Sequence, residues 1–245
     1  MLKPFTAIFD SGVGGLTVLR ACVRRCPGER FGYFGDNANA PYGNRAPEEI
    51  ERLAFSAFSF LARYPLKAAV VACNTVTAVC VEKLRAAFPF PIVGMEPAVR
   101  PAVAAAGGGE VLLLATRATL ESARVKSLSE KTGGNITPLC LPTLAGEIER
   151  HMAELSAVDV EGLLRTVPRG KYAAAVLGCT HYVFVKERIA EALDCPVFDG
   201  NSGTADHLSE ILNIRSEKSK KEPKNCVFFI GRAKNANKTF YFAQK

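Results

Sequence analysis

Two cysteines close matching phrases in this sequence: Ala69-Val70-Val71-Ala72-Cys73-Asn74-Thr75 and Ala175-Val176-Leu177-Gly178-Cys179-Thr180-His181. A cysteine that follows a strand and opens a helix meets unpaired backbone N–H groups and the positive end of the helix dipole. Both pull its pKa down from an ordinary value of about 8.5. One such cysteine beside His181 reads as a nucleophile with its base. Two of them facing a ligand from opposite sides suit another reaction, the inversion of a carbon stereocentre. One thiolate removes the Cα proton and the opposite thiol returns a proton to the other face. Asp10 is available to orient or serve Cys73, and Glu147 or His181 to do so for Cys179. Ser11, Asn74, Thr75, Thr116 and Thr180 offer hydroxyl and amide groups for a carboxylate and an ammonium. No cofactor motif accompanies them, so stabilising a carbanion falls to electrostatics.

The elements that must carry these residues can be read from the apolar pattern. Each cysteine ends a run of the length and apolarity of a buried parallel strand, at the carboxyl edge where α/β sheets place their chemistry. Strand ends fall at Phe9, Gly35, Ala72 and Val93, with counterparts at Ala115, Leu141, Gly178 and Phe198; the offsets are 106, 106, 106 and 105 residues. A repeat at that spacing predicts an α/β protein of two pseudo-duplicated domains, each a mostly parallel sheet flanked by helices, with the site in the cleft between them. The domains are expected over 1–97 plus 205–245 and over 98–204, a helix with Ala205, Leu208 and Leu212 leading back to the first half.

Between strand and helix, Asp10-Ser11-Gly12-Val13-Gly14-Gly15 is a glycine-rich turn that can aim N–H groups at an anion. It lacks the third glycine of a dinucleotide fingerprint and the Gly-Lys-Ser/Thr of a phosphate loop. A carboxylate or small anion suits it better than a nucleotide. Pro47-Glu48-Glu49 opens a helix whose buried stripe is Ile50, Leu53, Ala54, Ala57 and Leu61. Cys80 reads as core, and a later helix carries Leu144, Ile148 and Met152, with Glu147 and His151 on it.

At 245 residues, 48% apolar and 22% charged, the composition is that of a folded globular protein. The sequence enters a strand at Phe5 with no signal-peptide pattern and has no stretch approaching a membrane span, so the expected location is the cytoplasm and the cysteines are expected reduced. Cys22 and Cys26 read as helix residues rather than zinc ligands, and no metal is expected. Eight basic and two acidic residues between Ser216 and Lys245 put +6 of the +7 net charge in that tail. Such a run is a solvated surface more often than a nucleic-acid site. Within it Ser216 to Asn225 is of low complexity, Cys226 to Ile230 reads as an edge strand or packed tail, and Phe240 and Phe242 are expected to pack down.

Four phrases taken together, Phe9-Asp10-Ser11-Gly12-Val13-Gly14-Gly15-Leu16, Gly35-Asp36 with Pro41-Tyr42-Gly43, Ala72-Cys73-Asn74-Thr75 and Gly178-Cys179-Thr180-His181-Tyr182, resemble the cofactor-independent aspartate/glutamate racemases, and within them the glutamate racemases. The likeness runs from Phe5 to about Leu212. It implies interconversion of L- and D-glutamate, supply of D-glutamate for peptidoglycan, two α/β domains around one site, and a homodimer. It implies Cys73 as the acid/base acting on D-glutamate and Cys179 as the one acting on L-glutamate. Asp10-Ser11, Tyr42-Gly43, Asn74-Thr75 and Thr180-His181 become substrate contacts, and Asp10, Glu147 and His181 assist proton transfer. Three other readings make different demands. An aspartate racemase would keep the cysteine pair and change the loops, a thiol hydrolase would need Cys179 and His181 but not Cys73, and a binder acting through the basic tail would show salt-sensitive association.

Overall fold

The computed structural model describes residues 3–214 and the backbone of Cys226–Gly231 and Thr239–Phe240. The first half contributes strands β1 (Phe5–Asp10), β2 (Arg30–Gly35), β3 (Leu66–Val71) and β4 (Ile92–Gly94), with helices α1 (Leu16–Arg25), α2 (Pro47–Leu61) and α3 (Asn74–Ala87). The second contributes β5 (Val111–Ala115), β6 (Ile136–Cys140), β7 (Ala174–Gly178) and β8 (Val197–Asp199). Its helices are α4 (Val99–Ala106), α5 (Arg117–Glu121), α6 (Ala123–Thr132), α7 (Leu144–Arg150), α8 (Val160–Leu164) and α9 (Lys186–Leu193). Helix α10 (Asn201–Ile211) follows.

The two sheets repeat one topology. The strands run β2-β1-β3-β4 in one and β6-β5-β7-β8 in the other, all parallel. Every strand end lies within one residue of its expected place. The first sheet is extended beyond β2 by β9 (Cys226–Gly231), parallel to it, and by the two-residue β10 (Thr239–Phe240), antiparallel to β9. The run after Cys226 therefore pairs as a strand, though not at the sheet's edge; the low-complexity stretch from Ser216 and the position of Phe242 lie outside the described residues.

Burial follows from this layering. Each residue of β1 and β5 is buried, which is why these segments read as continuous apolar runs. On one face of the first sheet Phe9, Phe34 and Val71 pack beneath α2 and α3, with Phe58 of α2 in the same cluster; on the other, Ile8, Val70 and Tyr33 pack beneath α1 and α10. Ala205 and Leu208 of α10 belong to that second cluster, with Leu212 against it. Pro47 occupies the first turn of α2, and Ile50, Leu53, Ala54, Ala57 and Leu61 are its buried face. Cys80 is core, and Cys22 is buried on α1 with Cys26 capping that helix's end. Among the described residues no helix is long and apolar enough to cross a membrane, and no group of three His, Cys, Asp or Glu side chains can hold a metal ion.

Candidate active site

Both cysteines stand one or two residues past a strand in the same sheet position, between the central strand and the edge strand. Cys73 is the N-cap of α3, and Cys179 precedes a 3-10 turn, Thr180–Val185, that runs on into α9. The second cysteine was expected to open an α-helix; the tighter turn instead brings Thr180 and His181 around toward the first half. Cys73 and Cys179 are 5% and 7% exposed, so the chemistry would take place out of bulk water, where fixed dipoles act strongly.

The glycine-rich turn joins the halves. Asp10, fully buried at the end of β1, accepts the Gly12 N–H at 3.0 Å and the Thr180 hydroxyl at 3.2 Å. The Val13 N–H donates to Glu149 Oε1 at 2.8 Å. The anion awaiting this turn's N–H groups is thus the protein's own carboxylate, delivered by α7. A methyl on Gly12 would collide with Glu149 Oε1, and one on Gly14 with Thr180 Oγ1; close approach of the halves is what these glycines permit.

Glu149 Oε1 lies 2.6 Å from His181 Nε2, and His181 Nδ1 lies 3.8 Å from Cys179 Sγ. Burial disfavours a charged ring, yet the bonds to Cys179 and Glu149 and the fields of Cys179 and Asp10 outweigh it and push His181 up to about 10. Burial also opposes ionisation of Glu149, and here the His181 bond and the Val13 N–H prevail, holding its carboxyl below the usual range. The result is a carboxylate–imidazolium pair against the thiol.

Glu147 does not take this place. It pairs with Arg150 and lies 3.7 Å from His151 on the outward flank of α7. Leu144, Ala145 and Ile148 form the buried stripe of the helix, and Glu147 and Glu149 fall on opposite sides of it. The periodicity locates the stripe but cannot say which flank meets the other half.

Cys73 has a different setting. Its sulfur is 3.5 Å from Ser11 Oγ. Burial, then the charge of Asp10, pushes its thiol up to about 12, against the Ser11 hydroxyl and the Val76 N–H; the field of Cys179 also reaches it. The helix N-terminus was expected to lower this thiol's pKa. Dehydration of the sulfur overrides it and holds the Cys73 thiol protonated.

The remaining residues surround this pair. Thr75, Thr116 and Thr119 form a hydroxyl triangle across the halves, with separations of 3.0, 3.3 and 2.9 Å. Thr119 is the member that sequence reasoning missed, and only its spacing from the N-cap Thr116 hinted at it. Asn74 Nδ2 donates weakly to Met95 O at 3.4 Å, while its Oδ1 is buried without a protein partner. The Tyr42 hydroxyl donates to Asp36 Oδ2 at 2.6 Å, anchoring the segment whose Gly43 carbonyl accepts the Ala118 N–H.

The Asp/Glu/Hydantoin racemase family model matches residues 13–208. This chain belongs to that family. Glutamate racemase of Clostridium acetobutylicum is 40% identical over 225 residues, covering 87% of this chain and 88% of its own. Among solved structures, Escherichia coli glutamate racemase in complex with L-glutamate and the activator UDP-MurNAc-ala superposes with a TM-score of 0.80 at 30% identity, over 95% of this chain and 91% of that one. The Bacillus anthracis isoform RacE1 gives 0.77 at 31% identity, over 94% and 89%. The two-domain α/β architecture around one cleft is that of these racemases.

Proposed function

We propose that this chain interconverts L- and D-glutamate without a cofactor, using Cys179 and Cys73 as opposed acid/bases. The observation that carries the mechanism is the pair of buried thiols at equivalent strand ends, one beside an imidazolium and the other neutral. From L-glutamate, the Cys179 thiolate, held against His181, takes the Cα proton, and the protonated Cys73 delivers one to the opposite face. The reverse direction exchanges the roles, with Asp10 near Cys73. Ser11, Asn74, Thr75, Thr116, Thr180 and the Tyr42-Gly43 segment surround the substrate, and Glu149 replaces Glu147 as the carboxylate that positions His181. The biological reading that follows is a cytoplasmic homodimer supplying D-glutamate for peptidoglycan, with residues 1–97 and 205–245 forming one domain and 98–204 the other.

Proton NMR with chiral analysis in D2O tests this directly. Reduced protein should convert L-glutamate to D-glutamate carrying α-deuterium with no added cofactor. Cys73→Ala and Cys179→Ala should each stop racemisation. Faster turnover of L-aspartate than L-glutamate would overturn the substrate assignment, and racemisation surviving Cys73→Ala would overturn the two-thiol mechanism.

A further inference from the structure

One buried phenol has no part in the mechanism above. Tyr33, on β2, is 4% exposed, and its hydroxyl donates to the Gly12 carbonyl at 2.6 Å. The N–H of that same peptide unit belongs to Val13 and donates to Glu149 Oε1 at 2.8 Å. Glu149 in turn holds His181, which faces Cys179. The contacts make one chain of phenol, peptide, carboxylate, imidazole and thiol, beginning on the first half's sheet and ending at the second half's cysteine. Resonance couples the two ends of a peptide unit, so a strong donor on the carbonyl strengthens the N–H as a donor. The carbonyl's place beside Tyr33 depends on Gly35 as well, because a Cβ there would come within 2.6 Å of Gly12 O.

We infer that Tyr33 is a positioning residue for Cys179, acting by fixing the Gly12–Val13 peptide that holds Glu149 on His181. This rests on the racemase reading of the two cysteines. Burial first, then the neighbouring Asp10, Glu149 and Cys73, keeps the phenol protonated well above its ordinary range, so it remains a donor at any working pH. The groups facing His181 are Cys179, Glu149 and Asp10.

Tyr33→Phe removes the donor and keeps the ring. It should lower kcat roughly tenfold with KM nearly unchanged. The His181 titration midpoint, followed by NMR of the ring C–H, should fall because the imidazolium loses part of its partner. In a Glu149→Gln background the same change should have no further effect on kcat, the non-additivity expected of one chain. Wild-type kcat in Tyr33→Phe with an unmoved His181 midpoint, or a fully additive loss with Glu149→Gln, overturns the inference. Site-specific 3-fluorotyrosine at position 33, a better donor of nearly the same size, guards against a folding defect and should raise the midpoint; no rise counts against the chain. The titration needs no turnover, so it separates failure of this inference from failure of the racemase reading.

Discussion

Cys73 and Cys179 end equivalent strands of two sheets with the same order, and both are buried, yet their neighbours differ in kind. Cys73 has the Ser11 hydroxyl at 3.5 Å and the Asp10 carboxyl nearby. Cys179 has His181 at 3.8 Å, itself held by Glu149. Duplication of an α/β unit explains why two thiols face one cleft. It does not explain why their surroundings differ. That follows from the residues each half lends to the other: the first half's turn supplies the Val13 N–H to Glu149, and the second half's Thr180 supplies its hydroxyl to Asp10. Each corner takes one of its hydrogen bonds from the other half.

The asymmetry can be broken at several strengths. The largest effect is expected from the thiols themselves: Cys73→Ala and Cys179→Ala should each reduce racemisation by about 1,000-fold or more, as removal of an essential acid/base does. They should differ in D2O, Cys73→Ala retaining slow α-deuterium uptake into L-glutamate and Cys179→Ala into D-glutamate. Uptake with the opposite assignment would reverse the facial roles of the two cysteines.

Next, Glu149→Gln should lower kcat by about 100-fold, since His181 loses the carboxylate that keeps it charged and oriented. Glu147→Gln should leave kcat within about twofold of wild type, because its partners, Arg150 and His151, lie on the outer side of α7. Equal losses from the two variants would remove the distinction between the flanks.

The third test concerns stability and pH. His181 titrates at about 10 in the folded protein against 6.5 as its ordinary value, so folding favours its protonated form. Its contribution is fully present below about pH 6.5 and is lost as the pH rises through about 10. The Tm difference between wild type and His181→Gln should therefore shrink from pH 6 to pH 10.5, as followed by thermal melts across that range. A difference that grows with pH would have the sign wrong.

The smallest effect is expected at the hydroxyl triangle. Thr119→Val leaves Thr75 and Thr116 bonded to each other at 3.0 Å and removes one hydrogen-bonding partner of each. A change in KM of roughly fivefold or less should result, in keeping with a single neutral hydrogen bond. Steady-state kinetics in both directions would detect it.

Much of this molecule could be read before folding it. The 106-residue offset located eight strands to within a residue because buried parallel strands are written as apolar runs and their ends as polar ones. The same rule placed Asp10, Ser11, Cys73, Asn74, Thr75, Thr116, Cys179, Thr180 and His181 at carboxyl edges, where strand ends gather. The failures have a common cause. Glu147 and Glu149 flank one buried stripe, Thr119 lies one turn from a strand end, and Tyr33 drew no reading at all; in each case the deciding neighbour comes from a distant part of the chain.

The order of residues alone thus dictates the duplicated α/β frame and the position of a thiol in each copy, because local periodicity and strand-end chemistry are properties of neighbouring residues. The protonation of Cys73 and of His181 and the choice of Glu149 came only with the packed molecule. They depend on burial and on contacts between residues as far apart as Val13 and Glu149, or Asp10 and Thr180, which acquire a meaning only when the two halves close on each other.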